Sequence, residues 1–132
     1  MTPGELRIEL YNRDVALSVA DGALKYSAPD GALTPELLAE MRRHKSSLIS
    51  ILKAEAEYDA LRHRIFTLVD AAEANDLYNT HVEAERQRAE ARALVQGDYW
   101  SANERLLDLL GPEAFAALDG WLLQEMQQEV RL

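Results

Sequence analysis

The sequence of 132 residues carries a net charge of −9 and no cysteine, and its apolar content of 48% supports a packed core. The absence of cysteine excludes disulfides and thiolate metal sites, the apolar runs are too short to cross a membrane, and the first residues lack the features of a signal peptide. All of the net charge lies in residues 54–132, so direct nucleic-acid binding is not expected there. We expect a cytoplasmic protein with no membrane-spanning segment.

The first predicted element is a helix over residues 3–12. Thr2 and Glu5 have the spacing of a capping box, and a proline occupies the first helical position, where its missing N–H costs nothing. Leu6 and Leu10 then fall on one face of the helix, four residues apart. This face is predicted to be buried.

A β-hairpin is predicted next. Asp21-Gly22 lies between two alternating apolar segments, and this dipeptide favours a tight turn in which both central residues have a positive φ. The alternation places these apolar side chains on a common face: Leu17, Val19, Leu24, Tyr26 and Ala28. A lone hairpin is marginally stable in water, so it must pack on helices, while its outer edges offer backbone groups to which another strand can add.

Two helices are predicted to follow the hairpin. Residues 29–31, Pro-Asp-Gly, have the composition of a turn, and Thr34 before Pro35 is typical of a helix N-terminus. Cations cluster near the end of this helix, where they suit its carbonyl terminus: Arg42, Arg43, His44 and Lys45. The next helix is predicted to begin at residues 46–47. It can be long, because residues 36–96 contain no glycine or proline.

Residues 54–132 are predicted to be helical, with breaks at capping signals. Thr80 opens a capping box for a helix that is predicted to end at Gly97. Ser101 is predicted to cap the following helix, and Gly111-Pro112 to stop it and open a last one.

Aromatic residues in this region have two kinds of expected environment. Phe115, Leu118 and Trp121 are predicted to form the core face of the last helix. Tyr99-Trp100 leaves two alternatives open: it packs at a helix entry as a hydrophobic staple, or it is exposed as an interface anchor.

The most specific stretch of the sequence is residues 28–38, which read Ala-Pro-Asp-Gly-Ala-Leu-Thr-Pro-Glu-Leu-Leu. Further characteristic positions precede and follow it: Glu5, Leu6, Leu10, Val15, Leu17, Val19, Leu24, Lys25, Tyr26, Arg42, His44, Lys45, Leu48 and Leu52. With these residues, the segment 5–52 resembles the TubC N-terminal docking domain, found at the start of subunits in nonribosomal peptide and polyketide assembly lines. The resemblance implies an α-β-β-α-α fold, often dimeric. It also implies an exposed hairpin that takes up a short C-terminal peptide of an upstream protein as an added strand.

The predicted partner-binding residues lie on the hairpin edge that this resemblance implies, from Ala23 to Ala28, and in the cluster of cations at the end of the following helix, which could bind an anion. They are Ala23, Leu24, Lys25, Tyr26, Ser27, Arg42 and Arg43. Family members commonly carry several basic residues across the hairpin, whereas this sequence mainly has Lys25, which is expected to face the side chains of the peptide.

The resulting prediction is an α+β, mostly helical protein. An α-β-β-α-α docking-type module is expected at residues 1–53, followed by an acidic helical region at residues 54–132. We expect a protein or peptide partner bound by β-strand addition, and a homodimer assembled through helices.

Enzyme chemistry has little support in the sequence. It contains no nucleophile motif and no phosphate-binding loop, so we expect neither catalytic residues nor a cofactor. His81 and Glu85 have helical metal-ligand spacing but lack a further ligand. Glu83, Glu85 and Glu90 alternate with arginines, which is typical of a solvated face linked by salt bridges. An alternative function is an acidic accessory protein of a mobile element or phage that acts on a nucleic-acid-binding protein complex.

Overall fold

The computed structural model describes residues 1–120 of the chain. Its elements are α1 (Pro3–Asn12), β1 (Ala16–Ala20), β2 (Ala23–Ser27), α2 (Pro35–Arg43), α3 (Lys45–Leu77), α4 (His81–Leu94), a π-helical turn (Val95–Tyr99) and α5 (Trp100–Leu110). Residues 112–120 are helical as well. This order confirms the predicted fold class, in which a hairpin follows the first helix and all later elements are helices.

The elements group into two compact units. Residues 1–55 and 106–120 belong to the first unit, and residues 56–105 form the second. Within residues 1–120, no helix combines the length and the apolar character needed to cross a membrane.

The capping box of α1 is confirmed. The Thr2 hydroxyl accepts a hydrogen bond from the Glu5 backbone N–H at 3.1 Å, and the Thr2 N–H donates to the Glu5 carboxylate at 3.3 Å. These bonds to Thr2 lower the pKa of Glu5, because they stabilise its ionised form. The helix turns Leu6 and Leu10 fully inward, as predicted.

The hairpin forms the only sheet among the described residues. Asp21 and Gly22 have φ values of 53° and 75°, the positive pair that a two-residue turn of this type requires. The register pairs Leu17 with Tyr26 and Val19 with Leu24, which confirms that these apolar side chains share a face. Residues of both strands pack on a buried cluster: Leu6, Leu10, Val15, Leu37, Met41 and Leu48.

The turn and the helix start after the hairpin also agree with the prediction. The N–H of Ala32 donates to the Pro29 carbonyl at 3.1 Å, and the Thr34 hydroxyl accepts from the Leu37 N–H at 3.2 Å. Helix α3 begins at Lys45, slightly earlier than predicted.

Two predicted helix boundaries in the second unit are wrong. Gly97 does not end a helix, since α4 continues through the π-helical turn into α5, and Ser101 lies inside α5 rather than at its cap. Tyr99 stacks on Tyr58 with ring centroids 5.2 Å apart and their hydroxyls 2.9 Å apart. This packing outweighs the cost of a glycine within a helix, which is about 1 kcal/mol.

Three further predictions concern single side chains. Thr80 makes no capping bond, because its hydroxyl donates to the Asn75 carbonyl at 2.8 Å. Trp100 lies within a helix and is 58% exposed, so the staple is wrong. Leu118 is buried as predicted, and Trp121 lies outside the described residues.

Helix α1 approaches the end of α5 so closely that its first turn requires a glycine. A Cβ at Gly4 would lie 2.0 Å from the carbonyl oxygen of Leu110 and 3.3 Å from the Ala114 side chain. Because the nearest atom belongs to the backbone, relieving this clash would require a costly shift of the main chain. The seam between α1 and residues 110–114 therefore depends on Gly4.

We predict that Gly4→Ala lowers the free energy of unfolding by about 1–3 kcal/mol, since overpacking exceeds the gain in helix propensity. Urea unfolding followed by circular dichroism measures it. Gly97→Ala is the matched control: its Cβ meets nothing within 4 Å, so stability stays the same or rises by up to about 1 kcal/mol. Equal effects of the two substitutions on stability would contradict the claim that the close packing of α1 on residues 110–114 requires a glycine at position 4.

Candidate functional site

The outer edge of β2 carries free backbone groups at alternate residues. In a hairpin with a two-residue turn, the residues that flank the turn form a hydrogen-bonded pair, and such pairs alternate along the strands. The register therefore directs the backbone groups of Ala23, Lys25 and Ser27 toward β1. Leu24 and Tyr26 direct their N–H and C=O groups away from β1, to an edge where the described part of the chain has no further strand.

The same two residues line a groove with the helices that follow. The groove has a volume of about 250 Å³ and is lined by Leu24, Tyr26, Leu38, Met41, Arg42 and Lys45. Met41 is 4% exposed and Tyr26 is 53% exposed, so one side chain is part of the core and the other is open to solvent. The groove is thus apolar on the inside and can receive an apolar side chain.

Cations at the groove are available to an anionic partner. Arg42 and Lys45 are exposed and form no ion pair with a carboxylate in the described part of the chain. Arg43 differs, because its guanidinium lies 3.8 Å from the Glu40 carboxylate. His44 is also engaged, since its Nε2 lies 3.0 Å from the Met1 carbonyl oxygen.

The structure brings together some of the predicted site residues. Leu24, Tyr26 and Arg42 line the groove, whereas Arg43 does not. The side chains of Ala23, Lys25 and Ser27 are exposed and, by the alternation of the strand, lie on the opposite face of the hairpin.

Sequence reasoning did not include three groove residues: Leu38, Met41 and Lys45. A signal was available, because Leu38, Met41, Arg42 and Lys45 recur at helical spacing and therefore share one side of the chain as it leaves α2.

The acidic residues of α4 have arginine partners. Glu83 accepts from the Arg86 Nε at 3.0 Å, which lowers the pKa of Glu83, and Glu90 accepts from Arg64 at 2.6 Å. Glu85 lies 3.6 Å from Arg88. These contacts confirm the interpretation of this face as one linked by salt bridges.

The corner between α3 and α4 is held by Asp76. Its carboxylate accepts from Arg88 and lies 2.9 Å from the His81 Nδ1, so this histidine is engaged at the corner. The described residues contain no cluster of three metal-binding side chains. The hydrogen bonds from Arg88 and His81 lower the pKa of Asp76 below its ordinary value of 3.8.

We predict a pH-dependent effect of Asp76→Asn on stability. Because the folded-state pKa is lowered, the stabilisation from the carboxylate is present above the unfolded-state value near 3.8 and is lost as the pH falls through the folded-state value. The variant should be less stable than the wild type at pH 7, and the difference should shrink below about pH 4. Thermal unfolding at several pH values measures it. Asp98→Asn, at an exposed carboxylate of the same unit without an ion pair among residues 1–120, is the control and should show no such dependence.

The part of the chain that carries the hairpin is similar to a known protein family. No curated protein and no solved structure matches the chain. Residues 5–54, which contain most of α1, the hairpin, α2 and the first part of α3, match the family model of the TubC N-terminal docking domain, which confirms the resemblance found in the sequence.

Proposed function

We propose that residues 5–54 form a docking module that binds a short extended segment of a partner protein along the open edge of β2. The observation that carries this proposal is that Leu24 and Tyr26 combine free backbone groups with side chains that line a groove. Backbone hydrogen bonds then provide affinity, and the groove selects a side chain of the added strand. The match to a docking-domain family supports a protein–protein role.

The chemistry of the groove favours an acidic partner segment with an apolar residue. Arg42 and Lys45 lie at the groove, and Lys25 projects from the opposite face of the same strand. Two of these cations come from the helical part of the module, which compensates for the few basic residues on the hairpin. A segment in which acidic and aliphatic residues alternate would satisfy both the groove and the cations.

The same proposal includes a cellular role and an oligomeric state. The chain acts in the cytoplasm as a non-enzymatic adaptor, in the manner of docking domains of synthetase assembly lines. It also assembles as a homodimer through its helices, which is supported by large apolar side chains exposed in the second unit: Phe66, Val69, Val82, Val95 and Trp100.

Strand addition predicts a specific effect of removing one edge N–H. Peptides are first selected from a displayed library on the wild-type chain, and their affinities are measured by fluorescence anisotropy. Tyr26→Ala removes only the side chain, whereas Tyr26→Pro also removes the outward N–H. The proline variant should bind about two- to tenfold more weakly than the alanine variant, the loss expected for one hydrogen bond. Equal affinities, or a failure to select any peptide, would contradict strand addition at this edge.

The groove cations give a second prediction. Arg42→Glu should weaken binding of the selected acidic peptides about tenfold or more at low salt, and the loss should shrink as salt increases. Arg43→Glu is the matched control, since Arg43 is a neighbour on the same helix that contacts Glu40 and does not line the groove. Similar losses in both variants would indicate a general charge effect rather than contact at the groove.

A further inference from the structure

The helix pair α3–α4 of the second unit has two sides with different chemistry. On one side, Arg64 of α3 donates to Glu90 of α4 at 2.6 Å, so a salt bridge spans the helices. The other side has a groove of about 330 Å³, with Ile65, Val69, Ala91 and Val95 among its lining residues and with Arg88 and Arg92 as its charged residues. We call this second side, together with the adjacent Phe66, Asp70 and Glu73, the open face.

Apolar side chains on the open face are exposed beside one another. Phe66, Val69 and Val95 are 44%, 38% and 42% exposed, respectively. Phe66 precedes Val69 by three residues and therefore neighbours it on the surface of α3, while Val69 and Val95 line the same groove. Single exposed apolar residues are ordinary, but a contiguous set around a groove is typical of an interaction surface.

The acidic and the basic residues of the open face lie on different helices. Asp70 and Glu73 are exposed on α3, within one helical turn of Val69. Arg88 and Arg92 lie on α4, one turn apart. Arg88 bonds to Asp76 and interacts electrostatically with Glu73, whereas Asp70 and Arg92 make no hydrogen bond or ion pair with any residue in the described range 1–120.

This arrangement is complementary to a second copy of itself. A two-fold axis parallel to the helices places α3 of one copy against α4 of the other. The acidic residues of each α3, Asp70 and Glu73, then face the basic residues of the other copy's α4, Arg88 and Arg92. Val69 and Arg92 line the same groove, so the neighbouring Asp70 of one copy then faces Arg92 of the other. A partner with charges of one sign would complement only the acidic residues or only the basic residues of the open face.

We propose that the open face is the surface through which two copies of this chain form a dimer. Phe66, Val69 and Val95 supply its apolar centre, and the pairs of Asp70 with Arg92 fix its register. This inference rests on the self-association part of the proposed function. It is independent of docking at β2, which uses residues of the first unit.

Light scattering coupled to size-exclusion chromatography tests the proposal on the full chain. The wild type is expected to have the mass of a dimer at micromolar concentration. Asp70→Arg and Arg92→Glu each place like charges opposite one another, so each should raise the dimer dissociation constant at least tenfold. The double variant Asp70→Arg with Arg92→Glu exchanges both charges and should restore the dimer.

Glu104→Arg is the matched control. Glu104 is exposed in the same unit, does not line the groove of the open face, and has no ion pair within residues 1–120, so the same change in charge should leave the dimer intact. Circular dichroism confirms that each variant is folded. A monomeric wild type would overturn both this inference and the proposed self-association. A dimer that survives the single reversals, or a double variant that stays monomeric, would overturn the open face alone, and neither result affects peptide binding at β2.

Discussion

The hairpin depends on the apolar cluster beneath it, because two strands alone are marginally stable in water. Leu17 and Leu24 pack against that cluster, which includes the fully buried Leu6, Leu10 and Leu48. Each buried leucine contributes about 1.5–3 kcal/mol, so this cluster supplies stability that two strands alone lack. One face of the hairpin is thereby fixed while the edge of β2 stays open. An edge held in this way is already extended, and a binding segment loses less entropy when it adds to a preorganised strand.

Helix α1 is in turn held from two directions. The Arg7 guanidinium donates two hydrogen bonds to the Glu55 carboxylate, at 2.9 and 3.1 Å, and both side chains are largely shielded from water. At the start of the same helix, Gly4 contacts the Leu110 carbonyl. Residue 110 lies outside the segment that matches the docking-domain family. The unit that carries the open edge of β2 therefore includes a part of the chain that the family pattern does not cover, and the edge is best studied in the full chain.

Local signals in the sequence predicted local structure well. Thr2 and Thr34 cap helices and Asp21-Gly22 forms the hairpin turn, because each depends on atoms only a few residues apart. The boundary at Gly97 was wrong, since a contact between residues distant in sequence, Tyr58 and Tyr99, decides whether the helix continues. The groove was predicted only in part for the same reason. Its strand residues follow from the hairpin pattern, but Leu38 and Met41 join it through the packing of α2 beside β2.

The net charge of −9 is a poor guide to what this protein binds. All three acidic residues of α4 already contact an arginine, and exposed pairs of this kind contribute little to stability. Among the charges without ion pairs in the described range, those that lie beside exposed apolar surface carry the information. In the first unit they are cations beside an apolar groove, namely Arg42 and Lys45. In the second they are opposite charges on neighbouring helices, Asp70 and Arg92. A hydrated charge with no internal partner can gain a partner without breaking an existing contact. In both proposals, selectivity depends on the few uncompensated charges beside apolar surface, so an overall acidic protein presents a basic groove in one unit and a face with charges of both signs in the other.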